Sequence, residues 1–431
     1  MVRIKKDGDK KPDGDSKDDK NKKDNADDKD SQKGDIQKPD DESEQVDHSD
    51  AAADYASNII AGNSVYLGEL SSEYGISFDE EFEKTMDKIE ADYKEFLDKP
   101  EDFLAENWQD VLAVYVMKYG QDAGIKMDKS CRDDLEQIFF LMNVRSNSAI
   151  LRKLEKIQKE EVSETEGRSA ETEKAAEAEE STETEKATDA EESTETEKAA
   201  DAEESTETKK VAETDAKEYR ALSVQDYIAL YGADEEQTAI LEKYTSTKCR
   251  QLCAIVTASK GFVRSEAGSD VSEERVSIVA AACSLIGKVG YFWGGKSYAI
   301  GWDDSWGSPM TVSAEGSKSS GTVRSYGLDC SGFVAWSYYN GLGGKDAGIG
   351  NHTTTQWNAS EMVDSQSAKP GDLVFYHPAS AGDDNHVGIV VGVNDNGSLL
   401  VVHCSSSQNG VMTGEAWSAG FQYVRSPLGL E

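Results

Sequence analysis

The stretch "GLDCSGFVAWSYYN", residues 327–340, sets a cysteine between an aspartate and a serine. A glycine-marked turn precedes it and an apolar run follows. Phe333, Val334, Trp336 and Tyr338 are spaced to face a core from a helix. If that helix begins at Cys330, the thiolate lies at its positive end, which lowers the thiol pKa. Gly332 weakens the helix by roughly 1 kcal/mol, but a small residue here also permits close approach of a ligand. Two readings stand at this point. Cys330 is a small core residue, or it is a nucleophile.

A nucleophilic thiol needs a base in reach and a group that orients the base. The chain holds five histidines: His48, His352, His377, His386 and His403. His386 opens "HVGIVVGV" and His403 closes "LLVVHC", with "NDNG", a hairpin turn signal, between them. Pairing residue 393 with 398 places His403 opposite Gly388, on the pleat face of His386. A two-residue loop at Asn396-Gly397 keeps the same parity, whereas an odd loop breaks it. Both imidazoles then point to one side, roughly 7–8 Å or somewhat more apart along a diagonal. One can act as base while the other orients or polarises it.

The remaining sequence bounds these readings. The 431 residues carry a formal net charge of −38. From Val271 onward there are 8 Lys+Arg against 15 Asp+Glu, so most of the acid lies upstream. Such a chain repels nucleic acid and anionic membranes. No segment approaches 18 continuous apolar residues, and "MVRIKKDGDKK" lacks the apolar stretch of a secretory signal. The six cysteines are scattered, unlike a secreted disulfide framework. Cys249 and Cys253 lie four apart on a helical pattern with no histidine nearby, which is not zinc-site spacing.

Composition divides the chain. Residues 1–50 hold 12 Lys+Arg, 17 Asp+Glu and no aromatic residue, and are expected to be disordered. Residues 51–160 carry apolar residues at helical spacing, as in "EEFEKTMDKIEADYKEFL" and "NWQDVLAVYVMKYG", and are expected to form a small helical domain. Residues 161–217 include a repeat, "ETEKAAEAEEST", "ETEKATDAEEST" and "ETEKAADAEEST", each copy with five acids and one lysine. It offers no apolar stripe to bury and reads as a self-repelling linker. Residues 218–270 are helical again, with a cap position at Ser223, and Ser272 caps a further helix. Residues 271–431 change from helical to β-branched runs ("DLVFY", "HVGIVVGV", "LLVVHC"), which predicts an α+β domain with an antiparallel sheet.

The ordered series "YFWGG" (Tyr291–Gly295), "LDCSGFV" (Leu328–Val334), "KPGDLVFY" (Lys369–Tyr376), "HVGIVVG" (His386–Gly392) and "VVHCSSSQNGV" (Val401–Val411) resembles the NlpC family of papain-like cell-wall cysteine peptidases. The resemblance spans about residues 275–425. It implies Cys330 as nucleophile, His386 as base and His403 as the orienting residue, with no metal or cofactor. It implies Tyr291, Asp329 and Ser331 as the residues that hold the free amine of a peptidoglycan stem peptide. The implied reaction is hydrolysis of the γ-D-glutamyl–diamino acid bond, outside the cell or at the cell wall. The scaffold equally supports acyl or amide transfer, or a catalytically silent wall-binding module. Two features depart from the family pattern or match none of its positions. The 32 residues Lys296–Gly327 exceed the usual link between the first two motifs, and are expected to form a lid or groove wall. Cys283, Cys404, His352 and His377 match no catalytic position. The upstream "NWQDVLAVYVMKYG" and "IALYGADEEQ" resemble, more weakly, the helical module of wall hydrolases from conjugative elements of Gram-positive bacteria. That likeness implies conjugation machinery as a partner and a membrane anchor upstream of the present sequence.

Overall fold

A computed structural model of the chain describes residues 66–120, 124–146, 148–160 and 219–430. The expected disordered start and the acidic repeat lie outside the described residues.

Upstream of residue 270 the apolar spacing produces short helices. In α1 (Phe82–Lys94) the spacing buries Phe82, Met86, Ile89 and Tyr93. α2 (Trp108–Tyr119) and α3 (Arg132–Met142) close on the same core, where Trp108 and Phe139 rings meet at 4.7 Å. Short strands tie the part together: β1 (Ile76–Phe78) pairs in parallel with β2 (Ile125–Met127). β3 (Asn143–Arg145) pairs antiparallel with β4 (Tyr219–Ala221), so the stretches on either side of the acidic repeat meet in one ladder. Asn107 Nδ2 strengthens this junction by donating to both Met142 O and Leu222 O at 3.0 Å.

The following helices begin where capping residues stand. Ser223 and Asp226 form a capping box at α4 (Val224–Tyr231), and Asp234 with Gln237 forms another at α5 (Glu235–Tyr244). Ser246 and Ser259 cap α6 (Thr247–Thr257) and α7 (Lys260–Ala267), and Ser272 caps α8 (Glu273–Ser284). These helices share one continuous core with the C-terminal sheet: Leu252, Phe262 and Val276 belong to the same buried cluster as Val387 and Ile389.

The C-terminal domain is α+β, as its residue pattern predicts. β5 (Pro309–Thr311) and β6 (Val323–Ser325) make a separate hairpin within residues 296–327. β7 (Ser360–Met362), β8 (Leu373–Phe375), β9 (Val387–Val393), β10 (Leu399–Ser405), β11 (Gly410–Glu415) and β12 (Tyr423–Pro427) form a six-stranded sheet in the order β11-β10-β9-β8-β12-β7. Each neighbouring pair is antiparallel. α8 and α9 (Cys330–Gly341) pack on each other and against β9.

A buried ion pair fastens α8 to the sheet. Arg275 donates to Asp372 Oδ1 at 2.9 Å, to Pro370 O at 3.0 Å and to Ser426 Oγ at 2.9 Å. Both side chains are almost fully enclosed. Removing one partner strands the other charge. Arg275→Ala is therefore expected to lower unfolding free energy by about 3–5 kcal/mol. A fall in the urea midpoint with the slope unchanged checks it, and an unchanged midpoint refutes it.

Candidate active site

The candidate nucleophile is placed by its neighbours along the chain. Asp329 caps α9, its Oδ1 accepting from Gly332 N at 2.6 Å, so Cys330 is the first helical residue, as the sequence predicts. The "YFWGG" segment straps this helix start. Phe292 N donates to Leu328 O at 3.0 Å, and Asp329 N donates to Gly295 O at 3.1 Å. A side chain at Gly332 would meet Gly295 O at 2.1 Å, so only glycine lets the strap lie this close.

The sulfur faces the sheet. The backbone N–H groups of Val387, the first residue of β9, and of Ser331 lie near enough to favour its charged form. Cys330 is only 7% exposed. The expected lowering of its pKa does not occur. Burial pushes the thiol up to about 12, and the Asp329 carboxylate adds to this, outweighing the Lys296 ammonium and the two N–H donors. The sequence argument weighed the helix end alone, whereas desolvation is the larger effect here. Cys330 rests as a neutral thiol.

The two histidines meet. His386 Nε2 lies 2.8 Å from His403 Nδ1, and their ring centroids are 5.0 Å apart. Burial holds His386 down to about 3, with His403 adding to the effect, and burial holds His403 down to about 4. Both imidazoles are therefore neutral at pH 7. Phe421 stacks on His386 at 5.4 Å and meets His403 edge-on, and Tyr376 covers His386 from another side.

Their meeting depends on a bulge. β9 and β10 pair Val393 with Leu399, enclosing five residues, an odd loop. Left alone, that register would turn His403 to the other face. The pairing shifts between Leu400 and Val401, so that Val390 faces Val401 and Ile389 faces Val402. Val391 is the extra residue, and the shift restores the parity that the two histidines need. Gly388 completes the fit: a side chain there would lie 3.1 Å from His403 Cβ and 3.1 Å from Phe421.

Asn385 fixes the approach to His386. Its Oδ1 accepts from His377 N and His386 N, each at 2.9 Å, and its Nδ2 donates to His377 O at 2.7 Å. His377 thus contributes backbone to this turn, and His352 stands at the start of the short helix α10 (Thr353–Asn358). From that helix Gln356 donates to Ser331 O at 2.8 Å, tying it to the residue after the thiol.

Tyr291, Asp329 and Ser331 gather beside the thiol. Burial raises the Tyr291 phenol, the neighbouring Cys330 and Asp329 groups add to this, and the phenol stays neutral. A residue that the sequence reading missed completes this group. Lys296 Nζ lies 2.6 and 2.7 Å from the two Asp329 carboxylate oxygens and 2.8 Å from Ser331 Oγ. Asn385, Phe421 and Gln356 were missed as well. None belongs to a local pattern that marks chemistry: Gln356 and Phe421 act on distant segments, and Asn385 acts through a turn that brings His377 back to His386. The segment after Lys296 leaves Tyr298, Ile300 and Trp302 exposed, and its Trp302 meets Trp306 edge-on, which in turn meets Trp336 of α9.

Chemically, the arrangement offers a buried thiol at a helix start and a pair of neutral imidazoles in contact with each other. Comparison with known proteins bears on what it is. No curated protein matches the chain. Among solved structures, the peptidoglycan hydrolase RipB from Mycobacterium tuberculosis is 24% identical, over 46% of this chain and 88% of its own, at a TM-score of 0.26. The NlpC/p60 domain of the peptidoglycan hydrolase SagA is 25% identical, over 35% and 97%, at 0.25. RipD from Mycobacterium tuberculosis, described as a non-catalytic NlpC/p60 domain protein adapted to peptidoglycan binding, is 18% identical, over 36% and 98%, at 0.25. The model of the NlpC/P60 family matches residues 288–424, a span holding the "YFWGG" strap, the Cys330 helix and both histidine strands, and this C-terminal part of the chain is an NlpC/P60 domain.

Proposed function

We propose that the C-terminal domain is a cysteine peptidase of the cell wall that hydrolyses the γ-D-glutamyl–diamino acid bond of peptidoglycan stem peptides. The observation that carries this reading is the 2.8 Å contact of His386 Nε2 with His403 Nδ1, next to Val387, whose N–H favours the charged form of Cys330. With Nε2–H of His386 donated to His403, its Nδ1 is the nitrogen that takes the thiol proton. Because the thiol is neutral at rest, proton transfer accompanies attack rather than preceding it. The sulfur bonds to the scissile carbonyl carbon, and the oxyanion that forms lies by the Cys330 N–H at the start of α9. The C–N bond then breaks as His386 returns the proton to the leaving amine. Water, deprotonated by His386, cleaves the thioester and frees the thiol.

Tyr291, Asp329 and Ser331 form the adjoining wall of the substrate groove. A setting in conjugation rests on the likeness of the helical part alone. Digestion of purified muropeptides by the full chain, with the products weighed by mass spectrometry, tests the reaction. Products split between D-glutamate and the diamino acid, with water added, are expected. Products carrying an added amine in place of water would instead identify a transferase. Retention on cell walls without any product would identify a binding module.

A further inference from the structure

The acceptors beside the nucleophile are already occupied by the chain's own ammonium. An ammonium has three N–H donors. Those of Lys296 meet Asp329 Oδ1, Asp329 Oδ2 and Ser331 Oγ, all within 2.8 Å. The acceptors are equally engaged. Asp329 Oδ1 also takes the Gly332 N–H at 2.6 Å and the Ser331 hydroxyl at 3.0 Å. The cluster is largely enclosed, the Lys296 and Asp329 side chains being 17% and 10% exposed. Charge-assisted bonds in such surroundings are short and strong. The lysine stem crosses the helix start, its Cδ 3.0 Å from where a Gly332 Cβ would stand. Tyr326 accepts from Lys296 N at 3.4 Å and donates to Lys296 O at 2.5 Å, which anchors the backbone from which the stem departs.

We infer that Lys296 is a specificity-determining residue that closes the Asp329–Ser331 subsite to a free amine and selects stem peptides whose first amino group is acylated, as it is while the peptide remains attached to the glycan. This rests on the hydrolase reading and narrows its substrate. A free ammonium arriving here meets a like charge and finds no unengaged carboxylate, and like-charge juxtaposition is strongly unfavourable. An amide has no charge to repel and leaves the Lys296–Asp329 pair intact. The family resemblance pointed to Tyr291, Asp329 and Ser331 as amine ligands. The structure fills that role internally, from the first residue of the 296–327 segment.

The test compares two peptides, L-Ala-γ-D-Glu-diamino acid-D-Ala with a free amino terminus and its N-acetyl derivative. The full chain is expected to show kcat/KM about ten- to a hundredfold higher for the acetylated peptide. Lys296→Met, which frees the two acceptors, is expected to reverse or erase that preference by gaining the free-amine peptide. A wild-type preference for the free amine overturns the inference, whatever the variant does. So does a preference that Lys296→Met leaves unchanged. Calorimetric binding of both peptides to Cys330→Ala reads the same selectivity without turnover. Absence of hydrolysis with tighter binding of the acetylated peptide would therefore sink the hydrolase reading alone, and equal or tighter binding of the free-amine peptide would sink the inference.

Discussion

Cys330→Ala is expected to release no product from a defined stem tetrapeptide, a loss of at least roughly 10⁴-fold, because removal of a nucleophile disables the whole catalytic unit. The fold should survive. The Asp329 cap on Gly332 N and the Arg275–Asp372 pair do not involve the sulfur. Cys404→Ser and Cys283→Ser supply the contrast. Cys404 Sγ donates to Leu328 O at 3.1 Å, a bond that a serine hydroxyl can also make. Cys283 lies in α8 with its thiol driven up to about 12 by burial, away from the paired histidines. Both serine variants should keep most of the activity. Steady-state rates and circular dichroism of the three proteins check this. A Cys330→Ala protein that still cleaves would end the proposed mechanism.

What the sequence made legible was local. The apolar run after Cys330 announced a helix that could begin there, and Asp329 caps that helix. The β-branched runs around the two histidines, with a turn signal between them, announced paired strands, and these are β9 and β10. The face shared by His386 and His403 was also legible, but for an incomplete reason. The turn encloses an odd number of residues, and the bulge at Val391 compensates. The two glycines of "HVGIVVGV" are compatible with a bulge, but nothing in the run assigns it to Val391. The thiol pKa was misread because dipole direction can be seen in a pattern and burial cannot. Desolvation of Cys330 comes from the whole fold around it: the strap from Gly290 to Lys296, the start of β9 and Tyr376. Lys296 was invisible for the same reason. Its role requires Gly295 to touch Gly332 from a distant point in the chain, a close approach that depends on the absence of a side chain.

The two imidazoles should fail differently when replaced. His386 moves the proton, so His386→Ala is expected to remove nearly all turnover, beyond the roughly 10²–10⁴-fold typical of one acid–base group. His403 holds and polarises, so His403→Asn should retain measurable activity and His403→Ala less. The pH profile separates these roles further. His386 is active as the neutral base, and burial holds its pKa down to about 3. In the wild-type enzyme kcat/KM should therefore survive as pH falls through the ordinary imidazole value near 6.5, and be lost only well below it. His403 contributes to that lowering by opposing a charge on its neighbour. Its replacement by asparagine removes this opposition, so the acid limb should move to higher pH. A His403→Asn enzyme as inactive as His386→Ala would place the proton transfer on both rings. An acid limb that stays fixed in His403→Asn would show that the 2.8 Å contact orients His386 without setting its charge.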